Sequence, residues 1–123
     1  MKLRIKGNSI RYRLTKTDID SFDAEGYVEE RTHIGMSTFI YALQKSDEST
    51  LTAELDSNRL ILWMPAAMAE EWINTERVGF DARIPLHDAE GDLYLLLEKD
   101  FKCLDETIED QSDNYDNPLL SGK

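Results

Sequence analysis

Five cations alternate with apolar residues at the start of the chain, where Lys2, Arg4, Lys6, Arg11 and Arg13 are interleaved with Leu3, Ile5, Ile10, Tyr12 and Leu14. Guanidinium forks and ammonium groups held side by side suit phosphate or carboxylate, which makes Arg4, Lys6, Arg11 and Arg13 candidates for an anion site. The plainer reading is a solvated strand face, or one neutralised by the protein's own acids. Toward the other end, Glu98 and Asp100 flank Lys99 and share a face if that stretch is a strand. Paired carboxylates can divide acid and base roles when their surroundings separate their pKa values, so these two are candidate catalytic residues, although such pairs also occur at ordinary strand ends. Further acids follow at Asp105, Glu106, Glu109, Asp110, Asp113 and Asp116. Glu109, Asp110 and Asp113 could hold a hard cation through oxygen. The stretch lacks the glycine-centred twelve-residue loop of an EF-hand, and a solvated or salt-bridged tail with no bound metal is the expectation.

Cys103 lies between Phe101 and Leu104 in a setting that suits a small buried hydrophobe better than a nucleophile, and one cysteine excludes an intramolecular disulfide. His33 and His87 are the only histidines, so no zinc-ligand spacing arises and no cofactor is implied. Trp72 falls on the apolar stripe of a helix and reads as core. Trp63 falls on the face opposite Leu60, Leu62 and Met64, where it could serve a partner.

The elements that must position these residues follow from periodicity. Alternation on both sides of Gly7-Asn8 predicts a β-hairpin with one oily and one basic face. Thr15 to Asp18 opens a short helix that Gly26 stops. Strands follow over 27–34 and 37–45 around Gly35-Met36, and 51–55 and 59–64 form a hairpin around Asp56-Ser57-Asn58. Pro65 opens a second helix with Met68, Ala69, Trp72 and Ile73 on one stripe. The last two strands span 78–86 and 93–101, and the very apolar second one is expected to be central. The expected class is α+β, mainly β: an antiparallel barrel or strongly curved sheet of about eight strands, with two short helices over about 15–25 and 65–75. An open α+β sheet is the alternative. Residues 1–104 read as one β-rich domain and 105–123 as an acidic C-terminal extension, and no internal repeat emerges.

Charge narrows the partners. Of 123 residues, the first 16 hold six cations and no acid, whereas the whole chain carries −11. The remainder is therefore −17, a charge that repels nucleic acid and argues against it as a partner. No apolar run approaches a membrane span and no secretory h-region follows the N-terminal cations, so a cytoplasmic protein with no membrane partner is expected.

Through KLRIKGNSIRYRLT near the start, and EKDFKCLD and EDQSDNYDNP near the end, the chain resembles a family of small bacterial proteins of unknown function. Its members open with an RIKGNSIR-like hairpin and close with an EKDF-x-CLD segment and an acidic NP-containing tail. The resemblance implies a bacterial, cytoplasmic protein and carries no activity to transfer. The residues themselves point first to a non-enzymatic binding or interaction module, whose basic hairpin meets an acidic surface of its own tail, a second copy or another partner. The alternative is a metal-assisted hydrolase or a binder of phosphorylated small molecules. That alternative resembles the tunnel-type triphosphatases in outline, with Arg4, Lys6, Arg11, Arg13, Glu98 and Asp100 in the phosphate and metal roles, but their Glu-x-Glu-x-Lys motif is absent from the first strand. It requires those side chains to share a concavity.

Overall fold

A computed structural model describes residues 1–100. The elements run β1 (Lys2–Lys6), β2 (Ser9–Leu14), α1 (Lys16–Glu25), β3 (Tyr27–Ile34), β4 (Ser37–Ser46), β5 (Thr52–Asp56), β6 (Arg59–Pro65), α2 (Ala66–Asn74), β7 (Gly79–Pro85) and β8 (Asp92–Lys99). The protein is mainly β with two helices, as expected, but the strands do not form one barrel or one curved sheet. They divide into a first sheet ordered β1-β2-β8-β7 and a second ordered β3-β4-β6-β5. The reason is the pair of central contacts. All four hairpins are antiparallel, yet β2 pairs with β8 and β4 with β6 in parallel, so each sheet is joined at its middle by strands that are not consecutive in the chain.

The chain is also a structural repeat, contrary to expectation. The unit β-β-α-β-β occurs twice, and each sheet takes one hairpin from each half. Ile10 and Leu60, Tyr12 and Leu62, Leu14 and Met64, Ile19 and Ala69, and Phe22 and Trp72 occupy matching positions, and all ten are buried. These pairs share only their apolar character, which is what the core requires of them.

Local chemistry sets the element ends. At the start of α1 the Asp18 N–H donates to the Thr15 hydroxyl (3.2 Å) while the Thr15 N–H donates to the Asp18 carboxylate (3.0 Å), a reciprocal capping box. Gly26 ends the helix at φ +72°, where a side chain would be strained, and its N–H donates to the Phe22 carbonyl at 2.7 Å. The β5–β6 turn is made by Ser57 and Asn58, both at positive φ, the geometry that matches strand twist in two-residue hairpins.

The inner faces of the two sheets enclose one apolar core. The fully buried Tyr12 bridges the sheets, its hydroxyl donating to the carbonyls of Ala42 (2.9 Å) and Leu60 (3.3 Å). Burial and proximity to Tyr41 and Tyr27 hold the Tyr12 hydroxyl far above its ordinary pKa, against the Ala42 hydrogen bond, so it remains a donor. Both helices cover the same end of the sandwich, where the rings of Phe22 and Trp72 meet edge to face at 6.4 Å. Trp72 lies in the core as expected, and its indole N–H donates to the Val78 carbonyl (2.9 Å). The opposite end holds an apolar hollow of about 220 Å³, lined by the matched pairs Ile5 and Leu55, Ile10 and Leu60, and Phe39 and Leu93.

Candidate functional site

Pairing register builds the basic face. Across β1 and β2, Lys2 lies opposite Arg13, Arg4 opposite Arg11 and Lys6 opposite Ser9, and strand alternation turns all five cations to the outer face of the first sheet. The parallel neighbour β8 sets Leu96 beside Arg11 and Glu98 beside Arg13 on that same face. Like charges directly opposite on paired strands repel. Glu98 relieves two of them, since its Oε1 accepts from Arg11 Nε (2.8 Å) and Nη2 (2.6 Å) and from Arg13 Nε (3.4 Å). Asp100, whose N–H donates to the Leu14 carbonyl (2.8 Å), sets its carboxylate 3.2 Å from Lys2 Nζ and 3.9 Å from Arg13 Nη1.

Arg4 and Lys6 differ: both are exposed, and neither forms an ion pair among the described residues. Two hollows adjoin them. One, of about 270 Å³, is lined by Lys2, Leu3, Arg4, Arg11 and Arg13. The other, of about 210 Å³, is lined by Arg4, Lys6, Ser9, Arg11 and Leu96. Arg4 and Arg11 border both. The structure therefore brings together Arg4, Lys6, Arg11, Arg13, Glu98 and Asp100. It does so on the outside of an open sheet rather than in a tunnel, and among the described residues no closed barrel surrounds them.

The remaining candidates are scattered. Cys103, Glu109, Asp110, Asp113 and the extension over 105–123 lie outside the described residues. His33 sits on the exposed part of β3 with its Nδ1 3.0 Å from the Thr38 hydroxyl, and His87 is exposed in the β7–β8 loop. Trp63 is half-buried on the outer face of the second sheet, and its Nε1–H donates to Glu54 (3.3 Å). Among the described residues no three His, Cys, Asp or Glu side chains gather as a metal site, and no helix is long and apolar enough to cross a membrane.

One cluster escaped sequence reasoning. On the outer face of the second sheet the Tyr27 hydroxyl donates to Glu29 (2.5 Å) and accepts from Arg59, while Arg31 Nε reaches Glu29 at 2.6 Å. Hydrogen bonds from Tyr27 and then Arg31 hold the Glu29 carboxyl below its ordinary range. Burial, and then the bond to Glu29, raises Tyr27 against the opposing pull of Arg59. Tyr27, Glu29 and Arg31 alternate visibly along β3, but nothing in the sequence announces that Arg59, two strands away, stacks over the Tyr27 ring at 5.4 Å.

No curated protein and no solved structure matches the chain. A family model does match, over residues 1–119, and so takes in both the basic hairpin and most of the acidic extension. The chain belongs to DUF7009, a family of unknown function.

Proposed function

We propose that the protein is a non-enzymatic binding module whose basic face on β1 and β2 receives an acidic partner surface. The observation that carries this reading is the contrast within one face: Arg11 and Arg13 share Glu98, whereas Arg4 and Lys6 have no acidic partner among the described residues. Glu98 acts as an internal clamp that orders the two arginines, and the cations of β1 remain for an external anion. Catalysis by Glu98 and Asp100 is less well supported, because both carboxylates already serve as counter-ions to the cations around them. A phosphorylated small molecule is the second reading, favoured by the two hollows that Arg4 and Arg11 both border. The motif resemblance supports a bacterial, cytoplasmic setting for either.

Fluorescence anisotropy with a labelled polyglutamate peptide, run beside inorganic triphosphate, tests the face. Exchanging Arg4→Glu and Lys6→Glu together is expected to weaken peptide binding by about tenfold or more, and raised salt to weaken it further. Glu98→Gln is expected to tighten it by releasing Arg11, while Arg13 keeps Asp100, although the change loosens the sheet. A peptide affinity unmoved by all three changes would remove the proposal. Tighter, charge-dependent binding of triphosphate than of peptide would favour the second reading.

A further inference from the structure

We infer that the acidic surface received by the basic face is strand β5 of a second copy of this chain, and that two copies close on each other through reciprocal β1–β5 edges. This rests on the reading of the basic face given above and names its partner.

The internal repeat carries the argument. Strands β1 and β5 are the first strands of the two halves, and each lies at the edge of its sheet with one hydrogen-bonded neighbour among the described residues. Their matched outward positions carry opposite charges: Arg4 corresponds to Glu54, and Lys6 to Asp56. Glu54 and Asp56, like Arg4 and Lys6, form no ion pair among the described residues; Glu54 accepts only from Trp63, and Asp56 from the Ser57 hydroxyl. The matched inward positions are Ile5 and Leu55, which are 56% and 70% exposed. Two halves that agree in the apolar character of their matched core pairs thus differ by charge reversal along one pair of edges.

The other two edges do not show this pattern. On β3, Arg31 is paired with Glu29 of the same strand, and on β7, Asp81 and Arg83 carry opposite signs two residues apart. Edge strands commonly bear charge that discourages pairing. A strand with one sign repels its own copy but attracts its opposite, so β1 against β1 and β5 against β5 are disfavoured while β1 against β5 is favoured. The match holds in either direction. Side by side in the same direction, Arg4 meets Glu54, Ile5 meets Leu55 and Lys6 meets Asp56. In opposite directions, Arg4 meets Asp56 and Lys6 meets Glu54, with Ile5 still against Leu55.

One partner can satisfy both edges. Ile5 and Leu55 line the same hollow, so β1 and β5 approach each other at that end of the sandwich, while Met1 at the start of β1 lies against Glu30 of β3. A two-fold axis beside that hollow would set β1 of each copy against β5 of the other, which is the closed arrangement most homodimers adopt. Each sheet then continues into the partner's sheet, and the exposed isoleucine and leucine are covered.

Sedimentation velocity on the full chain tests this. The parent is expected to be a dimer at low salt and to dissociate on dilution more readily at roughly 0.5 M salt, where screening acts over less than about 5 Å. The variants Arg4→Glu/Lys6→Glu and Glu54→Lys/Asp56→Lys are each expected to be monomeric. Mixed in equal amounts they should form a heterodimer, because both of its edges are again complementary, and the chain carrying all four reversals should dimerise like the parent. A parent that is monomeric across the concentration series overturns the inference, and so does a dimer that survives either variant or variants that do not combine. The polyglutamate titration separates the two readings. A monomer that still binds the peptide through Arg4 and Lys6 loses the dimer and keeps the basic face, and a protein that does neither loses both.

Discussion

Asp18 serves two neighbours at once: it completes the cap of α1 and it holds the Met1 ammonium at 2.8 Å. Burial alone would raise its pKa, but the hydrogen bonds from the ammonium and from the Thr15 backbone and hydroxyl outweigh that, leaving it below the usual 3.8. For the ammonium, burial pulls downward and is outweighed by the bonds to Asp18 and Glu30, so it lies above 8.0. The two signs differ. A carboxyl lowered on folding contributes stability that is present above its unfolded pKa and is lost as pH falls through the folded value. An ammonium raised on folding contributes stability that is present below its unfolded pKa and is lost as pH rises through the folded one. Thermal midpoints measured across pH should therefore be highest between about pH 5 and 7.5 and fall on both sides. Asp18→Asn should lower the plateau by about 1 kcal/mol through the lost cap and flatten both limbs, the alkaline one less because Glu30 still pairs with Met1. A variant with the parent's full pH dependence would show that other groups set it. The cap was legible in Thr15 and Asp18, three residues apart. The ammonium's acids were not, since no local rule connects residue 1 to residue 30.

Close approach sets the limits at the scale of the strand. At Gly79, where β7 begins opposite Glu98, an added Cβ would lie 2.0 Å from the Leu97 carbonyl oxygen and 3.0 Å from the Glu98 Cα. Both belong to the backbone of β8 and neither can swing aside. Gly79→Ala is expected to cost about 1–3 kcal/mol in urea unfolding, the range for forcing an extra methyl into a packed site. A change below about 0.5 kcal/mol would mean that β7 moves away from β8 freely. The elements themselves were largely readable. Alternation around Gly7-Asn8 foretold β1 and β2, Gly26 the end of α1, and the apolar run from Leu93 a central strand. The helices expected over about 15–25 and 65–75 run Lys16–Glu25 and Ala66–Asn74. What joins the hairpins was not readable. Beside Arg11 and Arg13, β8 contributes Leu96 and Glu98, and a parallel contact between distant strands leaves no local trace to detect. The cations of the candidate face were therefore visible in advance, and their clamp, Glu98, was visible only as half of a carboxylate pair.

The whole molecule is held by exchange between its halves. Each sheet depends on both, because β2 needs β8 and β4 needs β6. Cutting the exposed turn between β4 and β5 and preparing residues 1–48 and 49–123 separately should give two fragments with little ordered strand signal by circular dichroism, since each central strand loses a neighbour. Mixing them should restore the cooperative melt of the intact chain. A fragment that melts cooperatively as a monomer would contradict this account of the core. The repeat escaped the sequence because its matched pairs, such as Tyr12 with Leu62 and Phe22 with Trp72, conserve apolar character rather than identity.

That duplication separates two kinds of position. Inward-facing pairs must stay alike, since both members fill one shared core. Outward-facing pairs are under no such bond, and there the halves have parted: Arg11 answers to Ile61, Arg13 to Trp63 and Glu98 to Gln44. Each outward position on the matched strands thus has a counterpart in the other half, and one half can acquire a charge pattern without the other having to follow.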